Sequence, residues 1–413
     1  MGLRFLDYPN ITRLNPNIPY KTRGNAAIAL RIEIQEDFVS DYDIIRETVL
    51  AEIERNSHFG QPGTDPAAVF VRGEPSERVG QFSRKAMWDV LTPREALKCL
   101  KSAGAEAVAY GTPVGLIGAL AAVGQTLKGD HTYELVAYRK RKNWGTRRLV
   151  DVETVRQMDA LTTPRTFNNY DFESRRILLT PHGPDPVLLG LRGETAQIVK
   201  SAFELLRIRE PIERWVIFRT NHGTESHLTQ GQNSEKIRPD RPIILHGFVA
   251  SQPHTIRGGH VFFTIKHPEG VVECAAFEPT GNLCNVAANL VAGDEVTVYG
   301  GVKNHNRTSE LTVNLEKIQI HHTAEEFQLE NPTCVRCGKH MKSAGKDQGF
   351  KCIRCHLKAP KAMKGTILKE RALKSGIYIP IPKAQRHLTK PICRYGQEKN
   401  WFGNAPSGNW HQP

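Results

Sequence analysis

No run of about 18 apolar residues occurs anywhere in the 413 residues, which excludes a membrane-spanning helix from the reading. Nor does the segment Met1 to Tyr20 place a basic stretch before an apolar one, so no secretory leader is legible and a cytoplasmic address is expected. Cysteine is scarce: of eight, Cys99, Cys274, Cys284 and Cys393 stand alone, which argues against a disulfide framework and for a reducing compartment. Acidic residues are missing from one stretch in particular. From Cys334 to Arg394 sixteen Lys or Arg face only Asp347 and Glu370, a local net of +14, so the rest of the chain, at about −1, contributes none of the net charge of +13. A solvated charged face is the plain reading of such a run. Its confinement to one segment points instead to a polyanionic partner whose phosphates would release counterions on binding.

What is present suits a multidomain α+β chain, since this length exceeds one small core. Residues 1–110 read as an α/β unit: Ala26 to Ile34 alternates as a strand, and Ser40 to Arg55 carries Ile44, Ile45, Val49, Leu50 and Ile53 at helical spacing. Thr92-Pro93-Arg94-Glu95 is a capping box with proline at the first helical position, and Gly104 closes that helix. Residues 111–235 mix a glycine-flanked helix (Gly115 to Gly124) and a strand from Glu134 to Tyr138. After an irregular stretch come strands Arg176 to Thr180 and Pro186 to Leu191, a helix Thr195 to Ile208, and a strand Arg214 to Arg219. This order suits a small α+β sandwich.

Residues 240–322 hold five strand-like runs, Ile243 to Ser251, His260 to Ile265, Val271 to Phe277, Glu295 to Tyr299 and Leu311 to His321, with one helix, Asn285 to Val291, after the third. That is the plan of an OB-fold β-barrel, whose strand 2–3 face binds oligonucleotides; an SH3-like barrel is the rival.

In residues 330–360, Cys334-x-x-Cys337 and Cys352-x-x-Cys355 are separated by 14 residues. Two such pairs in a cysteine-poor chain predict a four-cysteine zinc ribbon, each pair in a tight turn, with Gly338 the flexible residue of the first. His340 and His356 are near but superfluous. A closed set of four ligands leaves no open position, so this Zn2+ is structural and folds a knob carrying Lys339, Lys342, Lys346, Lys351 and Arg354, the expected RNA contacts. Residues 361–413 form a basic C-terminal extension.

Several strings converge on one family. Arg13 to Asn25, Gly115 to Gly124, Arg192-Gly193-Glu194, Thr220-Asn221-His222, Gly258 to Phe263, Cys274 to Thr280, Asn314 to Ile320 and Arg386 to Pro391 resemble, in order and over nearly the whole chain, the archaeal 2-agmatinylcytidine synthetases. The resemblance implies a kinase-like α/β domain, a ferredoxin-like domain, an OB-fold and a zinc ribbon. It also implies an ATP- and Mg2+-dependent ligase that replaces the carbon-2 oxygen of the wobble cytidine of the minor isoleucine tRNA with agmatine, so that the anticodon reads AUA. A carbonyl oxygen is a poor leaving group, so phosphorylation from ATP must precede attack by the amine.

Lys21, Arg23 and Asn25 are then expected at the nucleotide, the plain alternative being an exposed basic turn. Agmatine is a dication wanting a carboxylate: Glu194 at a helix start is the first candidate, or it merely complements the helix dipole. Asp185, Asn221 and His222 are weaker candidates. His260 after two glycines is a candidate RNA contact or a simple turn residue. The wobble base must leave its stack to react. The family's acidic Gly-Ile-Asp-Asp-Thr-Asp type motif and its threonine segment have no counterpart in residues 1 to 12. The expectation is a chain starting after them, in which tRNA binding is more secure than turnover. The alternative is a non-catalytic OB-fold and ribbon protein that binds single strands.

Overall fold

A computed structural model describes residues 3–19, 25–34, 41–230, 237–268, 270–304, 311–400 and 405–413. The largest α/β body is a seven-stranded sheet that crosses from the first unit into the second. Its order runs Ala26–Ala29, Asn10–Arg13, Ile212–Thr220, Thr132–Arg139, Val187–Gly193, Thr166–Phe167, with His411–Gln412 from the far end of the chain added beside Ile212–Thr220. The join is parallel, Arg219 opposite Asn10 and Thr220 opposite Ile11.

Alternation along these strands separates two faces. Tyr133, Leu135, Ala137, Leu189, Leu191 and Ile217 point to a core shared with the helices Val152–Thr162 and Ala196–Glu204. Ile11, Val136 and Phe218 form a small cluster of their own on the opposite face. The helix Val152–Thr162 was not legible as such; its signal is Asp151, whose side chain caps the Glu153 N–H, and the buried spacing Val155, Met158, Thr162. The helix Gly115–Gly124 packs with Glu77–Ala86 and Pro93–Ala103 around Leu14, Phe82, Leu100 and Leu120. The capping box at Thr92 and the left-handed Gly104 (φ 59°) form as expected.

The strand expected over Ala26 to Ile34 is two strands, Ala26–Ala29 and Ile32–Ile34, the second pairing with Leu3–Phe5. The break is at Arg31, whose guanidinium turns inward to Asn10 Oδ1 (2.5 Å) and the carbonyls of Val123 and Gln125 (3.1 and 2.9 Å). Likewise only Arg176–Ile177 of the run Arg176 to Thr180 is strand.

The five OB strands are Pro242–Val249, Val261–His267, Gly270–Ala276, Glu295–Asn304 and Leu311–His322, with Asn282–Ala288 as the helix between the third and fourth. Pairing of Phe248 with Lys266 and Val249 with Ile265 joins the first strand to the second, and the parallel pairing of Glu273 with Thr312 and Cys274 with Val313 joins the third to the fifth. This is the OB closure. Its core runs from Ile243 to Ile320 through Phe263, Leu283 and Val298.

The C-terminal extension folds back over the molecule. Gly365–Lys369 pairs with Glu326–Glu330, and Gly376–Tyr378 adds to the OB strand Leu311–His322. No helix among the described residues is long and apolar enough to cross a membrane.

Candidate functional site

Strings far apart in sequence meet where the first unit, the sheet and the barrel adjoin. Asn15 donates to the carbonyls of Asp89 (3.3 Å) and Asp240 (2.9 Å), and its Oδ1 accepts from the Asn17 N–H (2.9 Å). Asn17 lies against the OB strand, where a Cβ on Gly301 would sit 2.2 Å from its Oδ1, so a side chain there would displace the Asn17 amide from its place. Arg386 Nη1 bridges Asn17 Oδ1 (2.7 Å) and Glu316 Oε1 (2.8 Å), and His227 Nε2 lies 2.8 Å from Glu316 Oε2. Burial alone would raise the Glu316 carboxyl, but Arg386 and His227 outweigh it and bring it to about 2.

A second cluster sits on the sheet face opposite the helices. Glu134 lies beneath Arg192 (Nε to Oε1, 3.0 Å) and Arg13 (Nη2 to Oε2, 3.4 Å), with His222 Nδ1 at 3.6 Å. Against its burial, Arg192, His222 and Arg13 hold Glu134 ionised, well below the usual carboxylate range. His387 packs edge-on to His222, ring centroids 5.0 Å apart. Burial and the two arginines keep the His222 imidazole neutral, brought down to about 4, and crowding by protein and the same two arginines lower His387 although its outer edge reaches the surface.

These shifts fix an acid response. His131 and His222, both buried and each lowered to about 4, stay neutral in the fold while the unfolded chain takes up protons below pH 6.5. Stability is therefore expected to be flat above pH 6.5 and to fall below it, by roughly 1.4 kcal/mol per pH unit for each group. Loss of the Glu316 carboxylate adds to the fall from pH 4.5 downward. Chemical denaturation at pH 7.5, 6 and 5 measures it; a midpoint unchanged at pH 5 contradicts it.

The expected agmatine residues do not assemble. Glu194 is already filled, with Arg394 Nε at 2.5 Å and Lys399 Nζ at 2.7 Å from its oxygens. In this structure a guanidinium and an ammonium of the same chain occupy the place expected for the ligand's guanidinium. Asp185 pairs with Arg148 (3.3 Å) before the strand Val187–Gly193, whereas Glu194 follows that strand. They thus lie at opposite ends of a seven-residue strand. Asn221 brackets the backbone of Arg13, accepting its N–H (2.8 Å) and donating to its carbonyl (2.9 Å), a structural splice between strands. His222 is buried in the Glu134 cluster.

In the first unit a cavity of about 1410 Å3 is lined by Asn25, Asp65 and Asp89 with apolar walls that include Leu14, Ile45, Val69 and Ile117. Asn25, at φ 37°, donates to the Asn15 carbonyl (2.8 Å), which ties the cavity wall to the junction. Lys21 and Arg23 lie outside the described residues.

The four thiols of Cys334, Cys337, Cys352 and Cys355 all fall within 4.8 Å of one another. Cys334 Sγ to Cys355 Sγ and Cys337 Sγ to Cys352 Sγ are each 3.4 Å, near the roughly 3.8 Å that four sulfurs at about 2.3 Å from one zinc ion would show. The two turns are copies of each other. Gly338 N–H donates to the Cys334 carbonyl and His356 N–H to the Cys352 carbonyl, with Gly338 at φ 70° and His356 at φ 59°. His356 thus does in the second turn what glycine does in the first. The donor set fits zinc.

Lys339, Lys342, Lys346, Lys351 and Arg354 are all exposed around it. His260 Nδ1 accepts the Glu278 N–H (3.0 Å), fastening the start of the strand Val261–His267 to the residues that follow Gly270–Ala276. The basic run beyond the ribbon is different: Arg371 pairs with Asp294, Arg386 with Glu316, Lys390 with Glu398, and Arg394 with Asp130 and Glu194. The sequence thus concealed an internal strap within what reads as one charged tail. It also missed Glu134, whose signal is a carboxylate in mid-strand, between Tyr133 and Leu135 of Thr132–Arg139.

Comparison with known proteins covers the same ground. Family models match along the chain: the TiaS TCKD domain over residues 1–112, the TiaS FLD domain over 114–227, an OB-fold nucleic acid binding domain over 243–321, and the TiaS C-terminal zinc ribbon domain over 331–373. The isoleucine-tRNA 2-agmatinylcytidine synthetase TiaS of Archaeoglobus fulgidus is 40% identical over 395 residues, 96% of this chain and 90% of that protein. The one from Methanosarcina mazei is 39% identical over 94% and 89%. Among solved structures, a complex of TiaS with its isoleucine tRNA and ATP superposes with a TM-score of 0.82 at 40% identity, and one of TiaS with that tRNA, AMPCPP and agmatine with 0.80 at 37%, each over 94% of this chain and 89% of the other. This chain belongs to the TiaS family of isoleucine-tRNA 2-agmatinylcytidine synthetases.

Proposed function

We propose that this protein is an ATP-dependent ligase that joins agmatine to carbon 2 of the wobble cytidine of the minor isoleucine tRNA, giving an anticodon that reads AUA. The observation that carries the reading is the similarity, over more than nine-tenths of the chain, to synthetases whose complexes hold that isoleucine tRNA, an ATP analogue and agmatine. The chemistry is a displacement in two steps. A phosphoryl group from ATP is transferred to the carbon-2 oxygen, and the neutral primary amine of agmatine then attacks carbon 2. The oxygen leaves with its phosphate and the nitrogen gives up a proton.

The first-unit cavity lined by Asn25 is the place for ATP with Mg2+, and Lys21 and Arg23, close to Asn25 in sequence, are the cations for its phosphates. The four cysteines hold structural Zn2+, and Lys339, Lys342, Lys346, Lys351 and Arg354 present charge to the tRNA. His260 holds a hairpin of the barrel that faces it. Asn221 and His222 act on agmatine only indirectly, by fixing the strand that carries Arg13. The working units are residues 1–110, 111–235, 240–322, 330–360 and 361–413, and the protein acts in the cytoplasm. Incubation with radiolabelled agmatine, ATP and a transcript of the minor isoleucine tRNA tests this. Label should become acid-insoluble only when ATP is present. Tight tRNA binding without incorporation under any nucleotide would instead favour a non-catalytic RNA-binding protein.

A further inference from the structure

The sheet face opposite the helices carries charge that the proposed reaction does not use. Three strands bring Arg13, Glu134 and Arg192 together there. Two guanidiniums share one carboxylate, and both neighbouring histidines are neutral, so the cluster carries one net positive charge. Glu134 is buried, but Arg13 and Arg192 keep about 13% and 14% of their side chains accessible, and His387 beside them is exposed. Among the described residues nothing accepts a hydrogen bond from the two terminal nitrogens of Arg192; its Nε alone is used, toward Glu134. A guanidinium aimed by a buried carboxylate with its outer fork open has the geometry that grips a phosphate in bidentate fashion. An anchoring glutamate also prevents the arginine from swinging away, so little side-chain entropy is lost on binding.

The surroundings favour a polymer over a free nucleotide. The same face carries a half-buried Tyr138 under the Arg214 guanidinium, 5.5 Å from its ring centre, so along the sheet the cluster is followed by a ring and a further cation. The cavity of the first unit is lined by neither arginine. Exposed sheet faces with rings and cations are surfaces on which single-stranded nucleic acid lies.

We infer that Arg192, steadied by Glu134 and flanked by Arg13 and His387, clamps a backbone phosphodiester of the RNA substrate on the helix-free face of the sheet. The inference rests on the proposed tRNA substrate and adds a second point of attachment, remote in sequence from the basic ribbon. Arg192 is a binding residue for RNA, and Glu134 positions it.

The test compares wild type with Arg192→Gln and Arg192→Lys. Binding of the minor isoleucine tRNA transcript is measured between about 50 and 300 mM salt, and binding of ATP alone is measured in parallel. Arg192→Gln should weaken tRNA binding about tenfold near 100 mM salt and lower the slope of log affinity against log salt by about one. Arg192→Lys, which keeps a cation over Glu134 but loses the fork, should retain most of the slope and lose part of the affinity. ATP affinity should be unchanged in both. A melting curve of Arg192→Lys coincident with wild type removes misfolding as a cause. Unaltered tRNA affinity and slope in Arg192→Lys and Arg192→Gln would overturn the inference, as would a loss confined to ATP binding. Failure of wild type to incorporate agmatine while these tRNA effects persist would strike the ligase reading and leave the phosphate clamp standing.

Discussion

Stripping zinc, or changing Cys352 to serine, is expected to unfold the ribbon and remove most of the salt-dependent part of tRNA binding. The ribbon has almost no core beyond its ligands: Met341 and Phe350 are the only buried apolar residues beside the cysteines in that cluster. A structural zinc ion contributes roughly 10 kcal/mol or more to the folding of so small a unit, which is why the apo forms of such domains do not fold. With the knob unfolded, Lys339, Lys342, Lys346, Lys351 and Arg354 are no longer gathered around one metal. The loss should read as at least tenfold weaker tRNA binding at moderate salt and a salt slope lower by two or more. The barrel and sheet have separate cores and should melt as before. Full tRNA affinity in the metal-free protein would remove the ribbon from the binding account.

The second large effect is at Arg394. Its side chain is wholly buried, paired with both oxygens of Asp130 (3.1 and 2.9 Å) and with Glu194, and it donates to the Gly223 carbonyl. Arg394→Ala would take the buried guanidinium from Asp130 and the Gly223 carbonyl and leave Glu194 to Lys399 alone. Breaking one side of such a buried pair costs roughly 3–5 kcal/mol. Because the strap also supplies Arg386 and His387, its release should loosen the junction as well as the sheet. A drop in unfolding free energy of that size with lost agmatine incorporation is expected. Arg394→Lys should recover only part, since one ammonium cannot serve Asp130, Glu194 and Gly223 together. A variant as stable as wild type would mean that the strap is a surface decoration.

The chain announced its elements wherever the signal is local. The capping box at Thr92, the alternation in Leu311–His322 and the paired CxxC turns are written in neighbouring residues, so the OB plan and the ribbon could be laid out from sequence. The junction could not, because its chemistry depends on partners more than 200 residues apart, such as Arg13 with Asn221 and Asn17 with Arg386. For the same reason Glu194 read as an open carboxylate: Arg394 and Lys399, which fill it, lie in a tail whose composition suggested only RNA contact. Arg192 and Arg13 stood in strings already singled out, but the residue that makes them a pair, Glu134, looks in sequence like one polar position in a strand.

The reaction exchanges an oxygen on one nucleoside for a nitrogen of agmatine. The direct measurement is the mass of the wobble nucleoside after the minor isoleucine tRNA transcript has been treated with this protein, ATP and agmatine, then digested. Cytidine heavier by one agmatine less one water is predicted, at that position alone and only with ATP. Unmodified cytidine there, recovered from tRNA that the protein binds and with ATP and agmatine in excess, would contradict it.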